Sequence, residues 1–226
     1  MGMARILFIN PNSSQACSGG IDAAVAPFRF AGGPSIEVAT LREGPPAIYS
    51  WHDWYSVAGP LVALVRAERA DCFVIACASD PGLAAVREAT PTPVLGIFSC
   101  AVLAALARAE RFGVIALATA SKARHLLALR QLGIEARLAA EIALDVTMET
   151  LLDPALARRA MADAARQLVR EGAGAVVMGC AGMAHHRAAV EAAAGVPVIE
   201  PCQAAAAAAL GIVLAASAQA PARAAE

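Results

Sequence analysis

Phe73-Val74-Ile75-Ala76-Cys77-Ala78-Ser79-Asp80-Pro81-Gly82-Leu83 reads as a buried strand that stops at a thiol. The apolar run has the length of a strand, and Ser79, Asp80, Pro81 and Gly82 then supply turn and helix-start chemistry. Cys77 therefore belongs where the carboxyl end of a strand meets the amino end of a helix. Open parallel α/β sheets place their ligands at that edge.

The same phrase returns in the second half of the chain. Ala175-Val176-Val177-Met178-Gly179-Cys180-Ala181-Gly182-Met183 repeats the apolar run, the terminal cysteine and the small-residue turn. Ala84-Ala85-Val86 followed by Pro93-Val94-Leu95 is answered by Ala188-Ala189-Val190 followed by Pro197-Val198-Ile199. Cys180 follows Cys77 by 103 positions and Pro197 follows Pro93 by 104, so one inserted residue reconciles the registers. A fainter match pairs Ile6-Leu7-Phe8-Ile9, leading into Ser13-Ser14, with Gly113-Val114-Ile115-Ala116, leading into Ala120-Ser121. The chain reads as an internal duplication with one thiol per half, and two such halves would hold Cys77 and Cys180 across a shared cleft.

Around this repeat the expected fold class is α/β. Each of two pseudo-symmetric halves should carry a small parallel sheet of about four strands flanked by helices. The division expected is 1–97 plus 201–226 for the first half and 98–200 for the second. Expected strands run from Arg5 to Ile9, Ser35 to Leu41, Pro93 to Ile97, Phe112 to Leu117, near Glu135 to Ala140, and Pro197 to Glu200, besides the two cysteine strands. Helical spacing covers Ser56 to Arg69, Gly82 to Ala89, Ser99 to Arg108 as a crossover, and Ser121 to Leu132. Asp153-Pro154 opens another helix with a cap and an N1 proline, ending near Arg170. An alanine-rich helix from about Gln203 to Ser217 should pack back on the first half, with a frayed tail after Pro221.

Composition narrows the function classes. The 226 residues allow one large domain or two of roughly 100 residues each. Eighteen Lys plus Arg against nineteen Asp plus Glu give no reason to expect nucleic acid or a membrane surface as partner. The apolar content of 58%, much of it alanine, implies closely packed helices and apolar faces that favour a homo-oligomer. Six cysteines, several inside apolar strands, do not form a secreted disulfide pattern. The amino terminus lacks a signal-like apolar core, and the tract Ala204 to Ala216 falls short of a membrane span, so a cytoplasmic location is expected.

One segment resists the repeat. Tyr49-Ser50-Trp51-His52-Asp53-Trp54-Tyr55 holds both tryptophans and both tyrosines of the chain. Such a concentration suggests a lid, a pocket wall or a subunit contact, against a plain satellite cluster. His52 and Asp53 are neighbours on a helix and point apart, which argues against a proton relay.

Two thiols at equivalent strand ends suit the removal of a proton from one face of a carbon and its delivery to the other. A thiol with a pKa of about 8.5, lowered by helix-start amides, would be poised for either role. A zinc site lacks the closely spaced Cys or His pairs it needs, and Cys72 and Cys77, five apart on one strand, point to opposite faces. A nucleophilic cysteine served by His185 or His186 would leave Cys77 without a task. The bland alternative makes both thiols small buried hydrophobes, which is the natural reading of Cys17, Cys72, Cys100 and Cys202.

Asn10-Pro11-Asn12, the Cys77 motif and Gly179-Cys180-Ala181-Gly182-Met183, in that order and spacing, resemble the hydantoin racemase branch of the aspartate/glutamate racemase superfamily over nearly the whole chain. The resemblance implies a racemase without cofactor or metal. Its substrate would be a small molecule, a 5-substituted hydantoin or allantoin. It implies Cys77 and Cys180 as the acid/base pair, and the duplication predicts that their sulfurs face each other across roughly 6 to 9 Å by analogy with paired carboxylates. Asn10, Ser79, Asp80, and Ala181 and Gly182 behind the second cysteine would orient the ring and stabilise the enolate. The chain departs from the pattern at Phe98-Ser99, where hydantoin racemases usually show Gly-Glu. It departs again at Ala118-Thr119-Ala120, where they tend to carry paired hydroxyls and Thr119 is the remaining candidate contact. An aspartate/glutamate-type racemase would want a cation for the side-chain carboxylate; the motifs contain none, although Lys122 and Arg124 could reach in. A maleate-type cis-trans isomerase and a non-catalytic solute-binding protein remain the alternatives.

Overall fold

The computed structural model describes residues 4–146 and 153–219. The tail expected after Pro221 lies outside them. In chain order the elements are β1 (Arg5–Asn10), α1 (Gln15–Val25), β2 (Ser35–Thr40), α2 (Trp51–Ser56), α3 (Ala58–Ala67), β3 (Cys72–Ile75), α4 (Leu83–Ala89), β4 (Val94–Gly96) and α5 (Ile97–Leu106). They continue with β5 (Phe112–Ala116), α6 (Thr119–Gln131), β6 (Leu138–Ala143), α7 (Pro154–Arg170), β7 (Ala175–Gly179), α8 (Arg187–Ala194), β8 (Val198–Ile199) and α9 (Pro201–Gln219).

The strands form two four-stranded sheets of identical topology, β2-β1-β3-β4 and β6-β5-β7-β8. Every pairing is parallel. The sequence repeat is thus a structural repeat, with β1 and β3 answered by β5 and β7, and the two pseudo-symmetric α/β halves form as expected.

The inner strands β3, β5 and β7 are apolar and buried at every position because both faces of each sheet are covered there. Alternate residues divide between layers. Ile6, Phe8, Cys72 and Val74 of the first sheet join Phe112, Val114, Ala175 and Val177 of the second in one core shared with α1, α5 and α9. Leu7, Ile9, Phe73 and Ile75 face outward onto Leu61 and Val65 of α3 and Val86 of α4. Ile115, Val176 and Met178 face Met161 and Leu168 of α7 and Val190 of α8. The shared inner core holds the two sheets together, which brings their carboxyl edges to one place.

Several boundaries moved from expectation. The helix read as Ser56 to Arg69 is α3, Ala58–Ala67, and a Ser50–Asp53 capping box starts a separate short helix, α2, ahead of it. The strand read near Glu135 to Ala140 begins three residues later, after a 3₁₀ turn at Glu135–Arg137, where Glu135 pairs with Arg130 on the surface. The cysteine strand ends at Ile75, so Cys77 stands free of the ladder.

The alanine-rich helix is longer than the apolar tract read from the sequence. Its window Pro201–Ala218 meets the length and composition of a membrane span, with mean hydropathy 1.6. Cys202, Ala205, Ala206, Ala209 and Val213 of this helix are buried in the shared core beside Ala101, Val102 and Ala105 of α5. Small side chains let the two helices approach closely, which explains the alanines without a bilayer.

One side chain connects the Cys77 turn to the helix that leads into the second half. Asp80 takes the left-handed φ of 47°, which an aspartate tolerates better than most residues. Its buried carboxylate accepts the Phe98 and Ser99 amides at 2.9 Å each and the Ser99 hydroxyl at 2.6 Å, at the start of α5. The first turn of a helix offers unpaired N–H groups and positive dipole, so the anion and the helix end satisfy each other. A Cβ at Gly96 would come within 2.2 Å of the Asp80 carboxyl carbon, so only glycine leaves room. Asp80→Ala should therefore lower stability by roughly 2–4 kcal/mol, since it leaves buried donors unpaired. A urea midpoint unchanged from wild type would show that this contact carries no stability.

Candidate active site

Cys77 follows β3 on a turn whose next elements are Ser79 and Asp80. Its sulfur lies 3.7 Å from the Ser79 hydroxyl, and its carbonyl accepts the Asp80 amide at 2.9 Å. Asn10 ends the neighbouring strand and is fully buried. The Asn10 amide nitrogen donates toward Asn12 Oδ1, the Ser14 carbonyl and Ser18 Oγ at 3.0–3.1 Å, which holds the turn into α1 in shape. Ser14 caps that helix by accepting the Cys17 amide.

Cys180 follows β7 at the equivalent edge of the second sheet and starts a 3₁₀ turn, Ala181–His186. The preceding residue must be glycine, because a Cβ at Gly179 would come within 2.6 Å of the Ile115 carbonyl oxygen. The Gly182 amide donates to the thiol.

Both cysteines line one cavity of about 610 Å³, counted with its open mouth. Asn10, Ser79, Ala181 and Gly182 line it with them, as do Asn12, Cys17 and Tyr49. Leu117, just after β5, and Ser121, Arg124 and His125 of α6 line it too. Two candidates stand elsewhere. Asp80 lies behind the Cys77 turn, with its carboxylate spent on α5. Thr119 is exposed at the start of α6, and its amide and hydroxyl donate to Asp145 at 2.7 and 3.0 Å.

The residues that sequence reasoning passed over are mostly on α6. His125 is the histidine in this cavity, whereas His185 lies in a separate groove beside α1. The His125 Nδ1 is 2.5 Å from Glu141 on β6, and the His125 ring stacks on Phe98 with centroids 4.5 Å apart. Helical spacing marked Ser121 to Leu132 as a helix, but which of its faces met the cleft depended on the packing of the halves.

The aromatic segment sits at the rim. Tyr49 lines the cavity, the Trp54 indole N–H donates to the Ser79 carbonyl at 2.9 Å, and Trp51 covers the Arg124 guanidinium at 5.8 Å. Trp51, Trp54 and Tyr55 pack on one another with centroids 4.9–5.8 Å apart. One indole thus pins the turn that carries Cys77.

Burial decides the protonation of the thiols and reverses the expectation of lowered values. It pushes the Cys77 thiol up, with Asp80 adding to the rise, against the opposing Ser79 hydroxyl and amide and the Arg124 charge. Cys180 is pushed up to about 12 by burial, and the charges of Cys77, Cys17 and Glu200 reinforce this against the Gly182 amide. A helix-start amide stabilises a thiolate only modestly, while loss of water penalises it more. The two sites differ in one respect: Cys77 has a cation beside it, and Cys180 is surrounded by groups that are neutral or negative.

The sequence profile of the Asp/Glu/Hydantoin racemase family matches residues 6–209. A hydantoin racemase of Paenarthrobacter aurescens is 36% identical over 208 residues, which is 89% of this chain and 87% of that one. One from Pseudomonas sp. (strain NS671) is 33% identical over 204 residues, 87% and 80% of the two chains. Among solved structures, allantoin racemase from Klebsiella pneumoniae superposes with a TM-score of 0.88 at 32% identity, covering 94% of this chain and 89% of that one. With a duplicated parallel sheet, a thiol at each equivalent edge and similarity along nearly its whole length, the chain belongs to the Asp/Glu/hydantoin racemase family of isomerases.

Proposed function

We propose that the protein inverts the carbon next to a carbonyl in a 5-substituted hydantoin or allantoin-like cyclic amide, with Cys77 and Cys180 as the acid/base pair and no cofactor. The observation that carries this reading is the lining of one cavity by two thiols from symmetry-equivalent strand ends. The relatives named above act, by their names, on hydantoin and allantoin. In the reaction one thiolate takes the hydrogen from its face of the carbon, leaving an enolate whose oxygen the amides behind the cysteines can meet. The opposite thiol then gives its proton to the other face, so a thiol and a thiolate exchange places as the carbon inverts. Proton exchange with solvent, or turnover of the other enantiomer, restores the starting state.

Arg124 beside Cys77 favours the thiolate there, and the apolar and acidic surroundings of Cys180 favour its thiol. The pair is thereby biased towards one base and one acid. The same reading assigns residues 1–97 with 201–226 to one half and 98–200 to the other, and treats the exposed apolar residues of the chain as faces of a homo-oligomer. All six cysteines are free, which suits a reducing cytoplasmic setting.

Each single replacement, Cys77→Ser or Cys180→Ser, should abolish net racemisation in both directions, a loss on the order of 10² to 10⁴ for one acid/base group. The remaining thiol should still exchange the hydrogen of the enantiomer that faces it, without inversion, and the two variants should act on opposite enantiomers. Proton NMR in deuterated water with single enantiomers reads this directly. If both variants exchange the same enantiomer, or either racemises at a near-normal rate, a one-thiol mechanism must replace the pair.

The raised thiols also set the pH dependence. Only a small fraction of molecules carries a thiolate at pH 7, so kcat/KM, corrected for uncatalysed racemisation, should climb between pH 7 and 9. A profile already level at pH 7 would mean that the cleft lowers a thiol rather than raising it. For stability the sign is opposite. A group whose folded value is raised helps below its unfolded value of about 8.5 and loses that help as pH rises towards 12. The urea midpoint should therefore fall above pH 9, and fall less in Cys180→Ser.

A further inference from the structure

Arg124 is a cation without a counterion. It lies in the second turn of α6 with only 2% of its surface exposed, yet it lines the cavity that holds both thiols. Among the described residues no carboxylate is within ion-pair distance of it. Its hydrogen bonding amounts to one long contact, from Nη2 to the Ser121 hydroxyl at 3.4 Å, and its Nε is buried with no partner. Trp51 lies over the guanidinium and shields it from water. Asp53 is close enough to act on it through space, but that carboxylate accepts the Ser50 amide and hydroxyl and the Tyr49 amide in the α2 cap.

A buried, unpaired guanidinium is costly, and its five N–H donors match a carboxylate edge. A Cys77 thiolate can share the charge only part of the time, because in a two-thiol cycle that charge moves to the other sulfur. An anion that stays through the cycle must come with the substrate. Lys122, the other cation considered near this helix start, is not among the cavity-lining residues.

Resting on the racemase reading above, we propose that the preferred substrate is a ring whose C5 substituent ends in a carboxylate, and that Arg124 is the specificity-determining residue that receives it. The chemical class is that of 5-(carboxyalkyl)hydantoins, the cyclic derivatives of acidic amino acids. Ser121 adds a hydroxyl beside the guanidinium, and Tyr49 bounds the same cavity.

The test compares 5-(2-carboxyethyl)hydantoin with its near-isosteric neutral amide, 5-(2-carbamoylethyl)hydantoin. Wild type should favour the carboxylate in kcat/KM by on the order of 10², less than the roughly 10⁴ to 10⁵ by which a site built for a polar group rejects an analogue lacking it, because the amide keeps a hydrogen-bonding oxygen. Arg124→Gln should lose that preference, falling far more on the carboxylate than on the amide, while Arg124→Lys should keep part of it. Wild type favouring the amide, or Arg124→Gln falling equally on both rings, would overturn the proposal and leave the racemase reading standing. If neither ring is racemised, the racemase reading is decided on other hydantoins and on allantoin, and binding decides this one. Tryptophan fluorescence, reporting through Trp51, should show tighter binding of the carboxylate ring to wild type than to Arg124→Gln; equal or undetectable binding would sink the proposal.

Discussion

The contact between the Asp80 carboxylate and the first turn of α5 is the constraint on which the site depends. It joins the turn that carries the first thiol to the helix that leads into the second half. Water could serve neither partner, since the carboxylate and the Phe98 amide are both buried. The next side chain along, Phe98, stacks on His125 and so extends the same line of contacts into the opposite wall of the cavity. A change at Asp80 would disturb both walls at once. An aspartate expected to touch substrate is better understood as the residue that keeps its neighbours in place.

The architecture explains why the two thiols meet. Identical topology puts each cysteine at the same edge of its own sheet. A parallel sheet is polar in that sense: all its carboxyl ends lie on one side. The inner faces of both sheets are apolar and share one core with α1, α5 and α9, so the sheets cannot turn away from each other without exposing it. Duplication supplies two equivalent thiols, and a common core aims them at one volume.

The halves are equivalent in backbone but not in charge. Arg124 stands near Cys77, while Glu200 and Cys17 act on Cys180. In the proposed two-thiol cycle one proton is shared between two sulfurs, and unequal surroundings decide where it rests. The Glu200 carboxyl is itself pushed up to about 7 by burial. The asymmetry comes from residues outside the repeated motifs.

The repeated phrase around Cys77 and Cys180 was enough, by itself, to determine the fold class, the internal duplication and the pairing of the thiols. Those features depend on local apolar runs and on punctuation by glycine, proline and serine, which a linear reading detects. The membership of the cavity was legible in part: Asn10, Ser79, Ala181 and Gly182 stand next to the motifs in sequence and also in space. His125 was not legible as a cavity residue, and Arg124 could not be told from Lys122 as the cation that reaches in, because a helix read by spacing alone has no assigned face until another element covers one. Thr119 looked equivalent to a substrate contact, but Asp145, 26 residues later, takes its hydroxyl. The upward shift of the thiols was likewise decided only by tertiary structure, since helix-start amides are visible in the sequence and the exclusion of water around them is not.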